Sequence, residues 1–193
     1  ILIAFWDGEE QGLLGSKYFL NNRPSCIKGK KIIFSINLDM IGRLRNDQLS
    51  VFGARSAIGL ETLITRINNR PKQKLVELVF NWKITPDSDH YPFLSANVPT
   101  VMFHTGLHPD YHRPSDDSHL VNFAGVKLVL NVAFQTLLQV ANAADDIFKF
   151  RKEAFRESND SRKKLESKAF LPINSRGRWG IGIRNDSANP ESP

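Results

Sequence analysis

Acidic and histidine side chains follow three apolar segments of this 193-residue chain, where strands of an α/β sheet would end. The run at residues 1–6 leads into Glu9 and Glu10, and the run at residues 31–38 leads into Asp39. A third run, residues 100–103, leads into a polar loop that carries His104, His108, Tyr111 and His112. Because sites in open α/β sheets form outside the carboxyl ends of strands, we expect these side chains to meet at one sheet edge.

The adjacent carboxylates Glu9 and Glu10 repel one another, and a divalent cation would offset that repulsion. One carboxylate can then bind the metal while its neighbour takes a proton from water. Acidic residues also favour the N-terminus of a helix, which is the alternative interpretation of the pair considered alone. With Asp39 and His112 predicted at the same edge, a metal site is favoured. Carboxylate and imidazole ligands suit zinc.

Other catalytic signatures are absent from the sequence. It contains no His-Glu-x-x-His, Cys-x-x-Cys, Gly-x-Ser-x-Gly or phosphate-binding loop. The single cysteine, Cys26, cannot form an internal disulfide. No uninterrupted apolar stretch approaches the roughly 18 residues of a membrane span, so we expect no transmembrane segment.

The net charge of +6 is distributed unevenly along the chain. Residues 151–193 hold ten basic and six acidic residues, whereas residues 1–150 hold 16 and 14. The basic excess therefore lies mostly in the tail, where a charged segment is usually solvated. We expect no nucleic-acid partner.

The elements that must position the candidate residues alternate between strands and helices. With 41% hydrophobic and 24% charged residues, the chain is typical of one globular domain. The expected strands are residues 1–6, 31–38, 49–52, 75–80 and 100–103, and the expected helices are 11–22, 58–67, 88–95 and 123–148. In the last helix, the stripe expected to face the sheet is Val126, Leu130, Phe134, Leu137, Leu138 and Ala141, widened by Val129 and Val132. The alternation predicts an α/β domain with a mostly parallel mixed sheet flanked by helices.

Four segments carry a family resemblance when taken together. They are WDGEEQGLLGS at residues 6–16, NLDMIG at 37–42, SDHYPF at 88–93 and GLHPDYHRPSD at 106–116. In this order they resemble the M28 family of zinc peptidases, the co-catalytic aminopeptidases of the bacterial leucyl-aminopeptidase type. The similarity runs from Ile1 to about Ala144, and it implies the zinc-exopeptidase (phosphorylase/hydrolase-like) fold and peptide substrates.

The resemblance also implies roles for individual residues. Glu9 matches the general base that activates the metal-bridging water. Glu10 and His112 match ligands of one zinc ion, and Asp39 matches a ligand of the second. Tyr111 lies where family members have a group near the oxyanion. The implied activity is zinc-dependent hydrolysis of N-terminal residues from peptides.

The chain departs from the family pattern upstream. The family uses a His-x-Asp element and a metal-bridging Asp that would precede Ile1, and neither is found in this sequence. We therefore expect residues 1–150 to be the C-terminal part of a catalytic domain, incomplete at the N-terminus, with weak or empty zinc sites and little activity when isolated. The resemblance suggests an exported protein and leaves the oligomeric state open.

Residues 151–193 are expected to form a charged linker and tail. The alternatives for this segment are a disordered tail and the start of a PDZ-like module near Trp179–Ile183, which some peptidases of this family carry.

Other functions stay open at this point. Glutaminyl-cyclase relatives use one zinc ion for an acyl-transfer cyclisation, and receptor relatives of the same fold have lost the metal ligands. Retention of Glu9, Glu10, Asp39 and His112 argues against a non-catalytic binding domain. The remaining polar residues receive structural interpretations: His104 and His108 as loop or core histidines, His119 as a surface residue, Asp89 and His90 as supporting or helix-capping residues, and Asp116 and Asp117 as caps of the long helix.

Overall fold

The computed structural model describes residues 1–70, 73–143 and 148–169. The helices are α1 (Leu14–Asn21), α2 (Leu60–Asn68), α3 (His90–Ser95), α4 (Phe123–Ala141) and α5 (Asn159–Ala169). The strands are β1 (Ser35–Leu38), β2 (Gln48–Phe52), β3 (Asn69–Arg70), β4 (Gln73–Lys74), β5 (Glu77–Asn81) and β6 (Thr100–His104). The chain forms two compact units, Ile1–Ser158 and Asn159–Pro193. In the second unit the structure describes α5, while Trp179–Ile183 lies outside the described residues.

A four-stranded sheet in the order β1-β6-β2-β5 is the centre of the first unit. β1 pairs with β6 and β2 pairs with β5 in parallel, whereas β2 and β6 run antiparallel. The small strands β3 and β4 form a separate antiparallel pair. The predicted α/β architecture with a mostly parallel mixed sheet is therefore confirmed.

The core forms where α2 and α4 pack on this sheet, but α4 uses a different face from the one predicted. Its buried residues are Gly125, Val129, Val132, Ala133, Thr136 and Val140. Leu130, Phe134 and Leu138 of the predicted stripe are exposed, so that part of the prediction was wrong. The helix is apolar on more than one side, and its small and β-branched residues are the ones that fit closely against the sheet.

Helix α4 also ends earlier than predicted, at Ala141. Phe148 and Phe150 lie outside it, in a segment whose backbone pairs with residues 56–58. By length and apolarity α4 could cross a membrane, despite its polar interruptions, and among the described helices it alone meets that test. Its Val129 and Val132 are fully buried in the same core as the sheet.

Residues 1–6 do not form the predicted buried strand. Ile1, Ile3 and Phe5 are 80%, 79% and 95% exposed. A strand needs a neighbour to satisfy its backbone groups, and none of the described residues pairs with this segment. Trp6 is the exception to this exposure, because its ring packs 5.0 Å from that of Phe19 in α1.

Residues 148–158, here called the strap, form hydrogen bonds with residues 55–58 of the first unit. Arg151 N–H donates to Ser56 O at 2.8 Å, and Ile58 N–H donates to Lys149 O at 3.2 Å. Glu157 accepts two hydrogen bonds of 2.9 Å from Arg55 and one of 2.7 Å from Arg151. These hydrogen bonds, with Arg55 first, lower the pKa of Glu157 to about 2.

Replacing Glu157 by Gln tests how much this strap stabilises the fold. The depressed pKa means that the carboxylate stabilises the folded chain above its unfolded value of 4.5, and that this contribution disappears as the pH falls towards 2. We expect Glu157→Gln to lower the free energy of unfolding by about 1–3 kcal/mol at pH 7. The deficit should shrink between pH 5 and pH 2 in denaturant titrations.

The exposed Glu153 provides the matched control. Glu153→Gln should change the free energy of unfolding by less than about 0.5 kcal/mol. A deficit for Glu157→Gln that stayed constant from pH 7 to pH 2 would contradict the proposed ion pairing.

Candidate metal centre

A tight turn before α1 carries the acidic pair. The carbonyl of Glu9 accepts hydrogen bonds from Leu13 N–H at 2.8 Å and from Gly12 N–H at 3.0 Å. Gly8 and Leu13 have φ angles of 63° and 62°, the left-handed conformation that closes the turn. The turn leaves Glu9 half-buried and Glu10 exposed, so the two neighbouring carboxylates have different surroundings.

The turn that follows β1 positions Asp39. Asp39 N–H donates to Phe103 O at 3.2 Å, which continues the β1–β6 pairing by one residue. Met40 then adopts a left-handed φ of 53° and its carbonyl accepts hydrogen bonds from the backbone and the hydroxyl of Thr105. The chain reverses here, and Asp39 is left half-buried at the carboxyl end of the strand.

The loop after β6, residues 105–122, positions Tyr111 and His112. His112 has a φ of 55°, and its Nε2 lies 2.7 Å from Glu10 Oε1. The ring of Tyr111 stacks on the His112 imidazole with centroids 3.8 Å apart. Two residues expected to bind one zinc ion are therefore in direct contact.

One cleft of about 550 Å³ brings all five predicted site residues together. Its lining includes Glu9, Glu10, Asp39, Tyr111 and His112. Apolar side chains form another part of its wall: Met40, Phe52, Met102, Leu107 and Val121. The geometry thus gives a polar cluster beside an apolar surface, an arrangement common in small-molecule sites.

The acidic cluster shifts the protonation of its members. Burial, followed by the charges of Glu10, Asp39 and Asp89, raises the pKa of Glu9. Burial also raises the pKa of Asp89, although a hydrogen bond from the Ser16 hydroxyl opposes this rise. The pKa of Tyr111 is raised by burial and then by nearby acids, which keeps its phenol protonated. A cation in this cleft would lower the repulsion among Glu9, Glu10 and Asp39, which line it.

Several polar residues have roles that sequence reasoning missed. Asp89 directly precedes α3 but its side chain makes no capping hydrogen bond, and it instead accepts the Ser16 hydroxyl. His90 is fully buried, and burial lowers its pKa to about 4, so the imidazole is neutral. The SDHYPF segment was a signal that this region matters, but its spacing did not reveal the contact with Ser16.

The predicted caps of α4 were wrong. Asn122, rather than Asp116 or Asp117, caps the helix by accepting Gly125 N–H at 2.9 Å. Asp116 instead accepts a hydrogen bond of 2.8 Å from Arg43. Asp116 lies too many residues before the helix to reach its first turn, so its carboxylate is available to the loop.

The described residues provide donor atoms of the type that zinc binds, but too few of them for a complete zinc site. Glu10 and His112 supply carboxylate oxygen and imidazole nitrogen, both common zinc ligands. Within residues 1–70, 73–143 and 148–169, no group of three or more His, Cys, Asp or Glu side chains converges on one point. The described residues alone therefore complete no four-ligand site.

Comparison with known families tests the family resemblance that the four sequence segments suggested. The model of Peptidase family M28 matches residues 1–137, about seven tenths of the chain. This chain belongs to peptidase family M28. The resemblance inferred from the four sequence segments is confirmed.

Among curated proteins, Leupeptin-inactivating enzyme 1 of Streptomyces exfoliatus is 51% identical over 39 residues. That alignment covers 20% of this chain and 9% of the enzyme. It is a local similarity, and it covers a small part of either protein.

Solved structures match over most of the chain. The LapA aminopeptidase of Legionella pneumophila matches with a TM-score of 0.61 and 17% identity, covering 73% of this chain and 39% of that one. BSAP, a zinc aminopeptidase from Bacillus subtilis, matches with a TM-score of 0.54 and 21% identity, covering 72% and 36%. At these identities the similarity establishes the fold. This M28 chain spans about two fifths of the length of these structures.

The donor count predicts weak zinc binding. We expect that the isolated 193-residue chain does not bind two zinc ions with a Kd below about 1 µM. The reason is that Glu10 and His112 are the only predicted ligands in contact. Equilibrium dialysis of the metal-free chain against zinc measures this. His112→Ala should abolish the residual binding at this site.

The exposed His119, in the same loop, is the matched control. His119→Ala should leave zinc binding unchanged. Two tightly bound zinc ions per wild-type chain would show that the count of ligands is wrong.

Proposed function

We propose that this M28 chain contributes to a zinc-dependent aminopeptidase that hydrolyses N-terminal residues from peptides. The contact that carries the proposal is Glu10 Oε1 to His112 Nε2 at 2.7 Å, beside a half-buried Glu9 in the same cleft. A pair of zinc-type ligands next to a carboxylate with a raised pKa is suited to metal-assisted hydrolysis.

Glu9 is the proposed general base. Its raised pKa makes the carboxylate a better proton acceptor, because basicity increases with pKa. Glu9 accepts a proton from the attacking water and donates it to the leaving amine as the peptide bond breaks. The turn of residues 7–13 keeps Glu9 apart from Glu10, so one carboxylate can move a proton while the other binds metal.

Glu10 and His112 would hold one zinc ion, and Asp39 would contribute to the second. Zinc, when bound, polarises the scissile carbonyl and lowers the pKa of water at the site. The remaining ligands would come from sequence upstream of Ile1, as in the family pattern. The catalytic domain would then be complete only in a longer protein, and the isolated chain would have little activity.

Tyr111 is proposed to face the developing oxyanion. Its phenol stays protonated because burial and the surrounding acids raise its pKa. Stacking on His112 holds the ring beside the metal ligands. A neutral phenol in that position can donate a hydrogen bond to negative charge that forms on the substrate.

Glu9→Gln tests the proposed function in the full-length protein. The amide keeps the size of Glu9 but cannot accept the proton, so we expect kcat for aminoacyl-p-nitroanilide hydrolysis to fall by about 10²–10⁴-fold. Zinc content, measured in parallel, should remain that of the wild type. An unchanged kcat would show that Glu9 is not the general base.

The exposed Glu77 on β5 is the control for this substitution. Glu77→Gln should leave kcat and zinc content unchanged. A wild-type protein that cyclises N-terminal Gln peptides and releases no amino acid would overturn the aminopeptidase proposal in favour of glutaminyl-cyclase chemistry. A wild-type protein that does neither would favour a binding domain.

A further inference from the structure

The loop that carries His112 has little regular structure of its own. Within residues 105–122, all of which the structure describes, the 3-10 helix Ser118–Leu120 is the only regular element. Yet the left-handed His112 must stay opposite Glu10, and the exposed loop has few buried apolar contacts to keep it there. Polar contacts to the rest of the unit are therefore what hold this loop.

Arg43 makes the most extensive of these contacts. Its Nη2 donates to Asp110 Oδ2 at 3.1 Å and to Asp116 Oδ1 at 2.8 Å. Its Nη1 donates to the backbone carbonyl of Leu120 at 3.2 Å. The Arg43 side chain is only 16% exposed, so these charge-assisted hydrogen bonds are partly shielded from water.

The two carboxylates stand on either side of His112 in the sequence. Asp110 precedes it by two residues and Asp116 follows it by four. The Arg43 guanidinium therefore links the two ends of the segment 110–116. Asp110 also accepts the Ser115 hydroxyl at 2.7 Å. Asp116 Oδ2 lies 3.7 Å from His108 Nε2, a longer contact. Without Arg43, Asp110 and Asp116 would lose the cation that they share.

Arg43 also lies close in the chain to Asp39, in the turn that follows β1. It ends the 3-10 helix Ile41–Arg43, which begins two residues after Asp39. The carbonyl of Gly42 accepts Asn122 N–H at 2.9 Å, and Arg45 Nη2 donates to Leu107 O at 2.7 Å. The turn after β1 and the loop after β6 are thus joined at both ends of the loop, and Arg43 joins them on either side of His112.

From this geometry we propose that Arg43 is a positioning residue, which fixes the loop so that His112 meets Glu10 in a zinc-binding arrangement. The inference rests on the proposed zinc function. Loss of the guanidinium frees the segment between Asp110 and Asp116, and zinc must then order it on binding. Metal affinity falls as a result, as it does when residues that orient metal ligands are changed.

Arg43→Ala and Arg43→Lys in the full-length protein test the proposal, with Arg55→Ala as control. Arg55 is also a partly buried arginine paired with a carboxylate, but its partner Glu157 lies outside the cleft. Two readouts are used: amide hydrogen exchange of residues 105–116 in metal-free protein, and zinc affinity by competition with a chromophoric chelator. Neither readout depends on peptidase activity.

Arg43→Ala should speed exchange in residues 105–116 by about tenfold or more and weaken zinc binding by about 10–100-fold. Arg43→Lys keeps the charge but lacks the planar fork, so it should fall between wild type and Arg43→Ala. Arg55→Ala should lower Tm while leaving loop exchange and zinc affinity unchanged. If Arg43→Ala fails to fold, Asp116→Asn, which removes one of the two charged partners, should show the same pair of changes in smaller size.

Unchanged loop exchange in both Arg43 variants would overturn the proposal. So would unchanged zinc affinity in Arg43→Ala when His112→Ala weakens binding. If His112→Ala itself has no effect on zinc, the proposed zinc function fails, and faster loop exchange in Arg43→Ala still supports the positioning role on its own.

Discussion

Parallel pairing of β1 with β6 sets where the candidate site forms. The register joins Leu38 to Phe103, and the hydrogen bond from Asp39 N–H to Phe103 O extends it. Both strands therefore end at the same edge of the sheet, and the chain leaves each strand towards the cleft. A shift of this register would separate Asp39 from the loop that carries His112, so the other features of the site depend on it.

Like charges are the second constraint on the cleft. Glu9, Glu10, Asp39 and Asp89 lie close enough that three of them raise the pKa of Glu9. Such a cluster would be unfavourable in a site built only to be stable, because like charges at close range oppose ionisation. The cluster fits a site that receives a cation, and the raised pKa of Glu9 fits a residue that accepts a proton. Stability elsewhere comes from ordinary sources, such as the apolar core between the sheet and α4 and the Glu157 strap.

The turn after β1 and the loop after β6 could be predicted from the sequence, because in both places a short apolar run is followed by polar residues. Asp39 and His112 reached the same cleft as expected. The first apolar run, residues 1–6, was wrongly predicted as a strand because an apolar run also needs a neighbour to pair with, and a sequence pattern cannot provide one. Glu9 and Glu10 still line the cleft, since the turn before α1 is built by local hydrogen bonds.

Longer-range choices were the harder part. Helix α4 has apolar residues on more than one side, so its spacing allowed two faces, and the sheet selected the one with Val129 and Val132. The contacts of Arg43 with Asp110 and Asp116 join residues 67 and 73 positions apart, and no local pattern marks such pairs. Sequence reasoning therefore proposed candidate ligands, but it gave no indication of the distant residues that contact their loop.

Diffraction at the zinc absorption edge tests the central claim most directly. Crystals of the full-length protein grown with zinc should give an anomalous peak about 2.0–2.2 Å from a Glu10 carboxylate oxygen and from His112 Nε2. A zinc peak bound elsewhere, with Glu10 and His112 still in contact and no metal between them, would contradict the account.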